Sequence, residues 1–312
     1  MNIQEAKLYG KNQLVSSPTP ELDTAVFLQH ITGFDKTHLL LNRDFELSGG
    51  QESDFLAAIE KRKTGLPVAY ITGHKEFFGL DFLVTPDVLI PKPDTELLVE
   101  LALDALEDKF RANPASIPTV CDMCTGSGCV GISINAELRM QNAELKMTFV
   151  DISEKALEVA KKNAQRLLGM GEPSDQCPVP HYELSIMNCA FVQSNLFENI
   201  PHTFDLIVTN PPYVPHSESL ELLKDGRSEP LLALDGDVTE NGEYARTEDG
   251  LSLIRRLLPQ CYEHLNRNGV LIMETGEYNA QETAELFRQA GFRNVRIEYD
   301  MNEMMRDVLG VK

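Results

Sequence analysis

Residues 119–128 read Thr119-Val120-Cys121-Asp122-Met123-Cys124-Thr125-Gly126-Ser127-Gly128. The stretch begins as a short apolar strand, and a glycine-rich turn then leads into a pattern typical of a helix. Because glycine has no Cβ, such a turn lets a ligand come close to the backbone. By itself the turn would suit a dinucleotide as well as S-adenosylmethionine.

Beyond this turn, strand and helix patterns alternate as far as the C-terminus. The predicted strands are 119–121, 146–150, 190–192, 205–209, 270–274 and 295–298, and the predicted helices are 129–143, 154–168, 251–265 and 281–290. This alternation predicts an α/β fold, a parallel sheet with helices on both faces. Residues 169–188 show no period and are predicted to form a loop.

The part of the chain before the turn has a different organisation. Residues 1–67 have the periodicity and the stop signals of short helices and are predicted to form a helical domain. Residues 68–96 are interpreted as a hairpin that turns near Gly79 and Asp81, followed by an extended linker. Asp94 or Thr95 is expected to cap the next helix, and residues 97–312 form the main domain.

Polar side chains follow the predicted strands at the edge where ligands of parallel sheets bind. Asp151 ends the second strand, where it can accept both ribose hydroxyls of an adenosine or cap the following helix. Asn195 after the third strand can bond the adenine amine, while Leu196 packs on the ring. The predicted cofactor-binding residues are Cys124, Thr125, Gly126, Ser127, Gly128, Asp151, Ile152, Asn195, Leu196 and Asn210.

The fourth strand leads directly into Asn210-Pro211-Pro212-Tyr213, the most specific motif in the chain. Two prolines fix the backbone and remove two N–H donors, so the Asn210 side-chain oxygen and the Pro211 carbonyl are left as acceptors. Two acceptors suit an NH2 group on a planar amide or amine, on which Tyr213 can stack. Such acceptors would stabilise the positive charge that develops on the nitrogen during methyl transfer. We therefore predict that Asn210, Pro211 and Tyr213 are catalytic and that all four motif residues bind the substrate.

Charge and composition restrict the possible partners. The chain has 312 residues and a formal net charge of −20, which disfavours a nucleic-acid substrate because phosphates are bound largely by Lys and Arg. No apolar run approaches the roughly 18 residues that span a bilayer, and the N-terminus lacks a secretory pattern. We expect a cytoplasmic protein. Cys121 and Cys124 have the spacing of a zinc or redox pair, but no second pair matches it, and no metal is assigned.

Residues 122–128, Asp151 and Asn210–Tyr213 resemble the class I S-adenosylmethionine-dependent methyltransferases. The chain is more specifically similar to the glutamine methyltransferases of peptide chain release factors, the HemK or PrmC family. That resemblance rests on the helical N-terminal domain, on Glu76-Phe77-Phe78-Gly79-Leu80-Asp81-Phe82, on Val88-Leu89-Ile90-Pro91-Lys92-Pro93-Asp94-Thr95-Glu96 and on the Asn210–Tyr213 motif. It covers nearly the whole chain.

The resemblance implies a Rossmann-like sheet, S-adenosylmethionine as cofactor and S-adenosylhomocysteine as product. It further implies that the substrate is the glutamine in the Gly-Gly-Gln motif of class 1 release factors, which becomes N5-methylglutamine. Asn210 and the Pro211 carbonyl would hold the glutamine amide, and the N-terminal domain would recognise the substrate. The chain's own Gly49-Gly50-Gln51 is interpreted as a helix start and not as a methylation site.

Three positions depart from the family pattern. The family usually has glycine at Cys124, arginine at Lys92, and Asp or Glu at Asn195. A cysteine is compatible with the turn if its position does not need a positive φ. Lys92 keeps the charge of arginine but lacks the planar fork.

Three other functions are weighed against this one. A methyltransferase for a glutamine in a ribosomal protein usually carries serine in the linker, where this chain has Pro93-Asp94. An adenine-specific DNA methyltransferase shares the Asn-Pro-Pro-Tyr motif but has to grip phosphates, which the charge opposes. A cofactor-binding protein without catalysis would not need the intact motif.

Overall fold

The N-terminal residues form a compact helical unit. The computed structural model describes residues 1–169, 188–225 and 229–312. One unit comprises Met1–His74 and a short segment that begins at Glu221. Its helices are α1 (Ile3–Gln13), α2 (Pro20–Thr32), α3 (Lys36–Leu41), α4 (Gly49–Lys63) and α5 (Val68–Thr72). They enclose their own core around Phe27, Phe55 and Ile59, and α5 carries the unit past residue 67 because Val68 and Ile71 pack against that core.

The chain's own Gly-Gly-Gln sequence is the first turn of α4, as the sequence predicts. Ser48 and Gln51 form a capping box, in which the Ser48 hydroxyl accepts from the Gln51 N–H and the Gln51 side chain accepts from the Ser48 N–H at 3.0 Å. Such a box satisfies two backbone donors that the helix leaves unpaired. The Gln51 amide therefore has a structural role.

The second unit holds a hairpin and the main sheet. The hairpin strands are β1 (His74–Phe77) and β2 (Leu80–Leu83). The strands of the sheet are β3 (Thr119–Met123), β4 (Lys146–Asp151), β5 (Cys189–Gln193), β6 (Phe204–Thr209), β7 (Leu265–Glu274), β8 (Arg293–Tyr299) and β9 (Met305–Val311). The helices of this part are α6 (Glu96–Ala112), α7 (Cys129–Met140), α8 (Glu154–Leu167), α9 (His216–Leu222), α10 (Ser252–His264) and α11 (Ala280–Gln289).

Within the described residues the sheet has the order β5-β4-β3-β6-β7-β9-β8. The first five strands are parallel, which confirms the α/β, Rossmann-like prediction. The parallel arrangement does not extend to one end of the sheet, because β9 pairs antiparallel with both β7 and β8. Strand length and apolar pattern do not encode strand direction, so this reversal could not be predicted from them.

Helices cover both faces of the sheet, as expected. Alternate residues of β3 point to opposite sides, so Val120 joins one apolar cluster and Cys121 the other. Helices α6, α7 and α8 pack on the first face, and α10 and α11 pack on the second. Among the described residues no helix is both long and apolar enough to span a membrane. The predicted loop at 169–188 lies almost entirely outside the described residues.

The hairpin turns at Phe78 and Gly79, so Gly79 lies in the turn as predicted, while Asp81 lies in β2. Both turn residues have positive φ, 50° and 72°, as a tight type I′ turn requires. Asn163 of α8 ties this hairpin to the glycine-rich turn. Its Oδ1 accepts from the Leu83 N–H at 2.7 Å, and its Nδ2 donates to the carbonyls of Leu83 at 2.9 Å and Ser127 at 3.0 Å.

Asn163→Ala should lower the free energy of unfolding by about 3 kcal/mol, because one buried and two partly buried backbone groups lose their partner. Asn135→Ala is the matched control. Asn135 is also a buried helix asparagine, but its Nδ2 contacts the Cys189 sulfur at 3.5 Å, so a loss of about 1 kcal/mol is expected. Urea denaturation of both variants measures the difference, and equal losses would contradict this role of Asn163.

Candidate active site

The predicted site residues meet at the carboxyl ends of three neighbouring strands. Since β4, β3 and β6 are adjacent and parallel, the segments that follow them share one edge of the sheet, where a pocket opens. Ten of the predicted residues line it: Cys124, Thr125, Gly126, Ser127, Asp151, Ile152, Asn195, Leu196, Asn210 and Pro212. Gly128, Pro211 and Tyr213 are not among the residues that line it.

Asp122 organises the glycine-rich turn from beneath. One carboxylate oxygen accepts from the Thr125 hydroxyl at 2.6 Å and from the Gly131 N–H at 3.0 Å. The Thr125 N–H donates across to the Val150 carbonyl at 3.0 Å. Burial raises the pKa of Asp122 to about 7. Asp122 was not among the predicted site residues, although a carboxylate at the end of an apolar strand was a signal that could have identified it.

Cys124 adopts a left-handed conformation, with φ 60°. A cysteine fits this turn without strain only if its position does not need a positive φ, and position 124 does need one. The left-handed conformation costs an L-residue roughly 1–2 kcal/mol relative to glycine. Burial raises the pKa of the Cys124 and Cys121 thiols, so neither offers the thiolate that redox or zinc chemistry requires.

Asp151 holds the turn from the neighbouring strand. Its Oδ2 accepts from the Gly126 N–H at 2.9 Å, and its Oδ1 accepts from the Ser153 N–H at 2.9 Å. The alternative role as a helix cap is wrong, because the side chain of Ser153 caps α8. A carboxylate has about four acceptor positions, so Asp151 can accept further hydrogen bonds from a ligand. Burial raises the pKa of Asp151.

Asn195 and Leu196 form the next part of the wall. The Asn195 Nδ2 donates to Glu198 Oε1 at 2.8 Å and to the Glu240 carbonyl at 3.4 Å. These bonds use its donors and leave its amide oxygen as an acceptor. Leu196 is buried with φ 52°, so its apolar side chain is fixed by the fold.

Asn210 is oriented by the linker. Its Nδ2 donates to the Thr95 hydroxyl at 3.2 Å, and this assigns Oδ1 as the available acceptor. Of the two predicted caps of α6, Thr95 stands at the N-cap position, but its side chain makes no capping bond. Thr95 serves Asn210 instead, and Asp94 pairs with Arg306 at 3.2 Å.

Tyr213 is held at both ends. Its hydroxyl donates to Glu274 Oε1 at 3.1 Å, and its carbonyl accepts from Tyr278 and Asn279 at 3.2 and 3.1 Å. A Cβ added to Gly250 would lie 2.0 Å from that carbonyl oxygen, so this close backbone approach requires glycine. Burial raises the pKa of Tyr213 well above its usual value, and the phenol stays protonated.

The linker is fastened to the wall by an ion pair. Lys92 Nζ lies 2.7 Å from Glu229 Oε1, and the same oxygen accepts from the Ile90 N–H at 3.4 Å. Glu229 is 8% exposed, so removal of Lys92 would leave a buried charge uncompensated. Lysine thus replaces the family's arginine as a single point charge.

The long segment at 235–248 supplies another wall. Buried Asp237 accepts from the Gly250 N–H at 3.1 Å and the Thr247 hydroxyl at 2.6 Å, which closes the segment on itself. His216 Nδ1 lies 2.5 Å from Asp235 at its base. The segment contributes Val238, Thr239, Glu240 and Gly242 to the pocket lining.

Asp122→Asn should change the pH dependence of stability. The native pKa is raised from 3.8 to about 7, so the favourable protonated state is lost as pH rises from about 4 through 7. The variant cannot ionise, and its one oxygen can accept both native bonds. Over this pH window the melting temperature of the variant should rise relative to that of the wild type. The corresponding gain in its free energy of unfolding is up to about 4 kcal/mol.

Asp205→Asn is the control with the opposite sign. Burial raises the pKa of Asp205, but hydrogen bonds from Thr119 and Asn266 outweigh it and the pKa is lowered. That variant should lose stability relative to wild type as the pH rises through its carboxyl range. Thermal melts from about pH 2 to 8 compare the two, because the Asp205 change falls at or below its usual pKa of 3.8 and the Asp122 change falls above it. A difference between Asp122→Asn and wild type that does not change with pH would contradict the assignment.

Comparisons with known proteins identify the family of the chain. Residues 5–73 match the family model of the PrmC N-terminal domain. Along 98% of its length the chain is 31% identical to a release factor glutamine methyltransferase of Haemophilus influenzae, covering 95% of that protein. Those of Koribacter versatilis and Leptospira interrogans are 33% and 34% identical over 96% and 94% of the chain, covering 94% and 91% of their own lengths. The chain therefore belongs to the family of release factor glutamine methyltransferases.

Proposed function

We propose that the protein transfers a methyl group from S-adenosylmethionine to the side-chain amide nitrogen of the glutamine in the Gly-Gly-Gln motif of class 1 release factors. The observation that carries the proposal is the fixed orientation of Asn210. Its nitrogen is bound to Thr95, so its oxygen is the acceptor beside the pocket that the glycine-rich turn lines.

The pocket suits an adenosine cofactor. A Cβ on Gly126 would meet nothing within 4 Å, so the turn has open space on the pocket side. Asp151 offers two carboxylate acceptors for ribose hydroxyls, and Leu196 offers an apolar surface for adenine. When bound, S-adenosylmethionine supplies an electrophilic methyl group on a sulfonium.

The motif supplies the acceptors for the amide. A glutamine amide is a poor nucleophile because its lone pair is delocalised. Oδ1 of Asn210 and the Pro211 carbonyl would each accept one of its protons, which fixes the nitrogen and stabilises its developing positive charge. Tyr213 cannot act as a base, since its phenol is protonated and bound to Glu274. The chemistry then rests on positioning and hydrogen bonding.

The helical unit at residues 1–67 is proposed to recognise the release factor. It has its own core and exposes large apolar side chains, with Leu41 at 78% and Leu8 at 61%. Exposed apolar side chains favour a protein partner over nucleic acid, as does the charge of −20. Gln51 is not a candidate acceptor, because its amide belongs to the capping box.

Purified protein should transfer labelled methyl from S-adenosylmethionine to an intact class 1 release factor. The same factor with its Gly-Gly-Gln glutamine changed to alanine should take up none. Label on both factors would place the modification elsewhere on the substrate. Label on neither would exclude the release factor, and ribosomal proteins would then be the next substrates to test.

Asn210→Ala and Asp151→Ala should separate chemistry from cofactor binding. Loss of the Asn210 acceptor should reduce kcat by about 10²–10³-fold with little change in cofactor affinity. Loss of the Asp151 carboxylate should weaken cofactor binding by roughly 10–100-fold with a smaller change in kcat at saturation. Calorimetry and steady-state kinetics measure the two effects. Near-normal turnover by Asn210→Ala would refute the two-acceptor mechanism.

A further inference from the structure

Glu274 lies at the end of β7, beside the residues that hold the substrate amide. Its side chain is buried, with 2% of the residue exposed, and it does not line the pocket. Its Oε1 accepts the Tyr213 hydroxyl at 3.1 Å. A buried carboxylate is stable only where hydrogen bonds and nearby cations compensate its charge. The contacts of Glu274 therefore indicate what its charge holds in place.

A second chain of contacts reaches the same carboxylate. The Thr95 hydroxyl accepts from Asn210 at 3.2 Å, and Thr95 also lowers the pKa of the Glu274 carboxyl. The second oxygen of Glu274 has no hydrogen-bond partner among the described residues. Asn210 and Tyr213 belong to one proline-containing turn, so the bond between Tyr213 and Glu274 anchors the turn that also carries Asn210. A negative charge on Glu274 directs the Tyr213 hydroxyl proton towards it.

We propose that Glu274 is a positioning residue for methyl transfer. Its ionised carboxylate holds the Tyr213 hydroxyl and thereby the turn from Asn210 to Tyr213, so that Oδ1 of Asn210 stays directed at the substrate amide. The proposal deepens the proposed function and rests on it. If the carboxylate were lost, the Tyr213 hydroxyl would lose its charged partner, and the turn that carries Asn210 would lose this anchor.

A second buried carboxyl, Asp307, stands directly opposite Glu274 on β9. Residues paired in this way have their side chains on the same face of the sheet. Neither oxygen of Asp307 has a hydrogen-bond partner among the described residues. Burial and the charge of Glu274 raise its pKa well above the usual value, so Asp307 is protonated and Glu274 carries the charge.

Charged and titratable groups from several elements surround Glu274. Burial, the largest effect, raises its pKa to about 7; Thr95, Tyr213 and the cation of Arg306 lower it, and Asp94 raises it. Cys129 of α7 also feels its charge, but burial keeps that thiol protonated. As pH falls through about 7, Glu274 gains a proton and the anchoring charge is lost.

The test compares Glu274→Gln with Asp307→Asn, two isosteric changes on paired residues. Glu274→Gln should lower kcat at pH 8 by about 10–100-fold, as expected for the loss of hydrogen bonds to a charged group, with unchanged affinity for S-adenosylmethionine by calorimetry. The ratio of wild-type to variant kcat should shrink as pH falls through 7. Asp307→Asn removes no charge and should keep wild-type kcat. A constant ratio, or equal losses in both variants, would overturn the proposal.

A double-mutant cycle tests the link to Tyr213. Tyr213→Phe and Glu274→Gln should be strongly non-additive in kcat, because both break the same contact. Additive losses would overturn the link.

A readout that needs no substrate separates this proposal from the proposed function. In protein with 13C-labelled tyrosine, the Tyr213 signal is identified by its absence in Tyr213→Phe. That signal should shift with a midpoint near pH 7 in the wild type and in Asp307→Asn, but not in Glu274→Gln. If no release factor were methylated but this titration were present, the function would be wrong and the Glu274 contact right. Absence of the titration from the wild type would refute the contact.

Discussion

The site depends on the level at which three parallel strands end. Met123 at the end of β3 pairs with Val150 on one side and with Thr209 on the other. Each of those residues is followed directly by a functional side chain, Asp151 or Asn210. A slip of one residue in either pair would send these side chains to the opposite face of the sheet. The register of the central strand therefore brings the cofactor turn, the ribose acceptor and the amide acceptor to one place.

Local sequence was enough to predict most of this arrangement. Apolar strands, the glycine-rich turn and the two prolines of the motif are features of neighbouring residues, and the structure brings ten predicted residues to one pocket. Contacts between segments that are distant in the sequence could not be predicted from local sequence. Thr95 reads as a helix cap, because Thr and Asp before a helix commonly cap it, yet it bonds Asn210, 115 residues away. Glu274 was missed because its partner Tyr213 lies 61 residues away in the sequence. Asp122 was missed although its position at the end of an apolar strand was a local signal.

Buried acids recur at this edge of the sheet. Asp122, Asp151 and Glu274 all have raised pKa values with burial as the largest cause, and each accepts hydrogen bonds from backbone or hydroxyl groups that shape the pocket. An apolar side chain at these positions would be more favourable for folding alone. The carboxylates are better explained by the fixed orientation that they give to flexible turns, at a cost in stability that the two apolar clusters of the sheet offset.

The capping box of α4 bears on how the enzyme distinguishes glutamines. The chain carries the tripeptide that its substrate is proposed to present, yet here the tripeptide is wound into a helix. The side-chain oxygen of Gln51 accepts from the Ser48 N–H, and its nitrogen donates to the Ile31 carbonyl at 3.5 Å. The proposed mechanism requires both amide protons for Asn210 and Pro211, so the tripeptide sequence alone does not make a segment an acceptor. Under that mechanism, selectivity among glutamines becomes a matter of conformational availability.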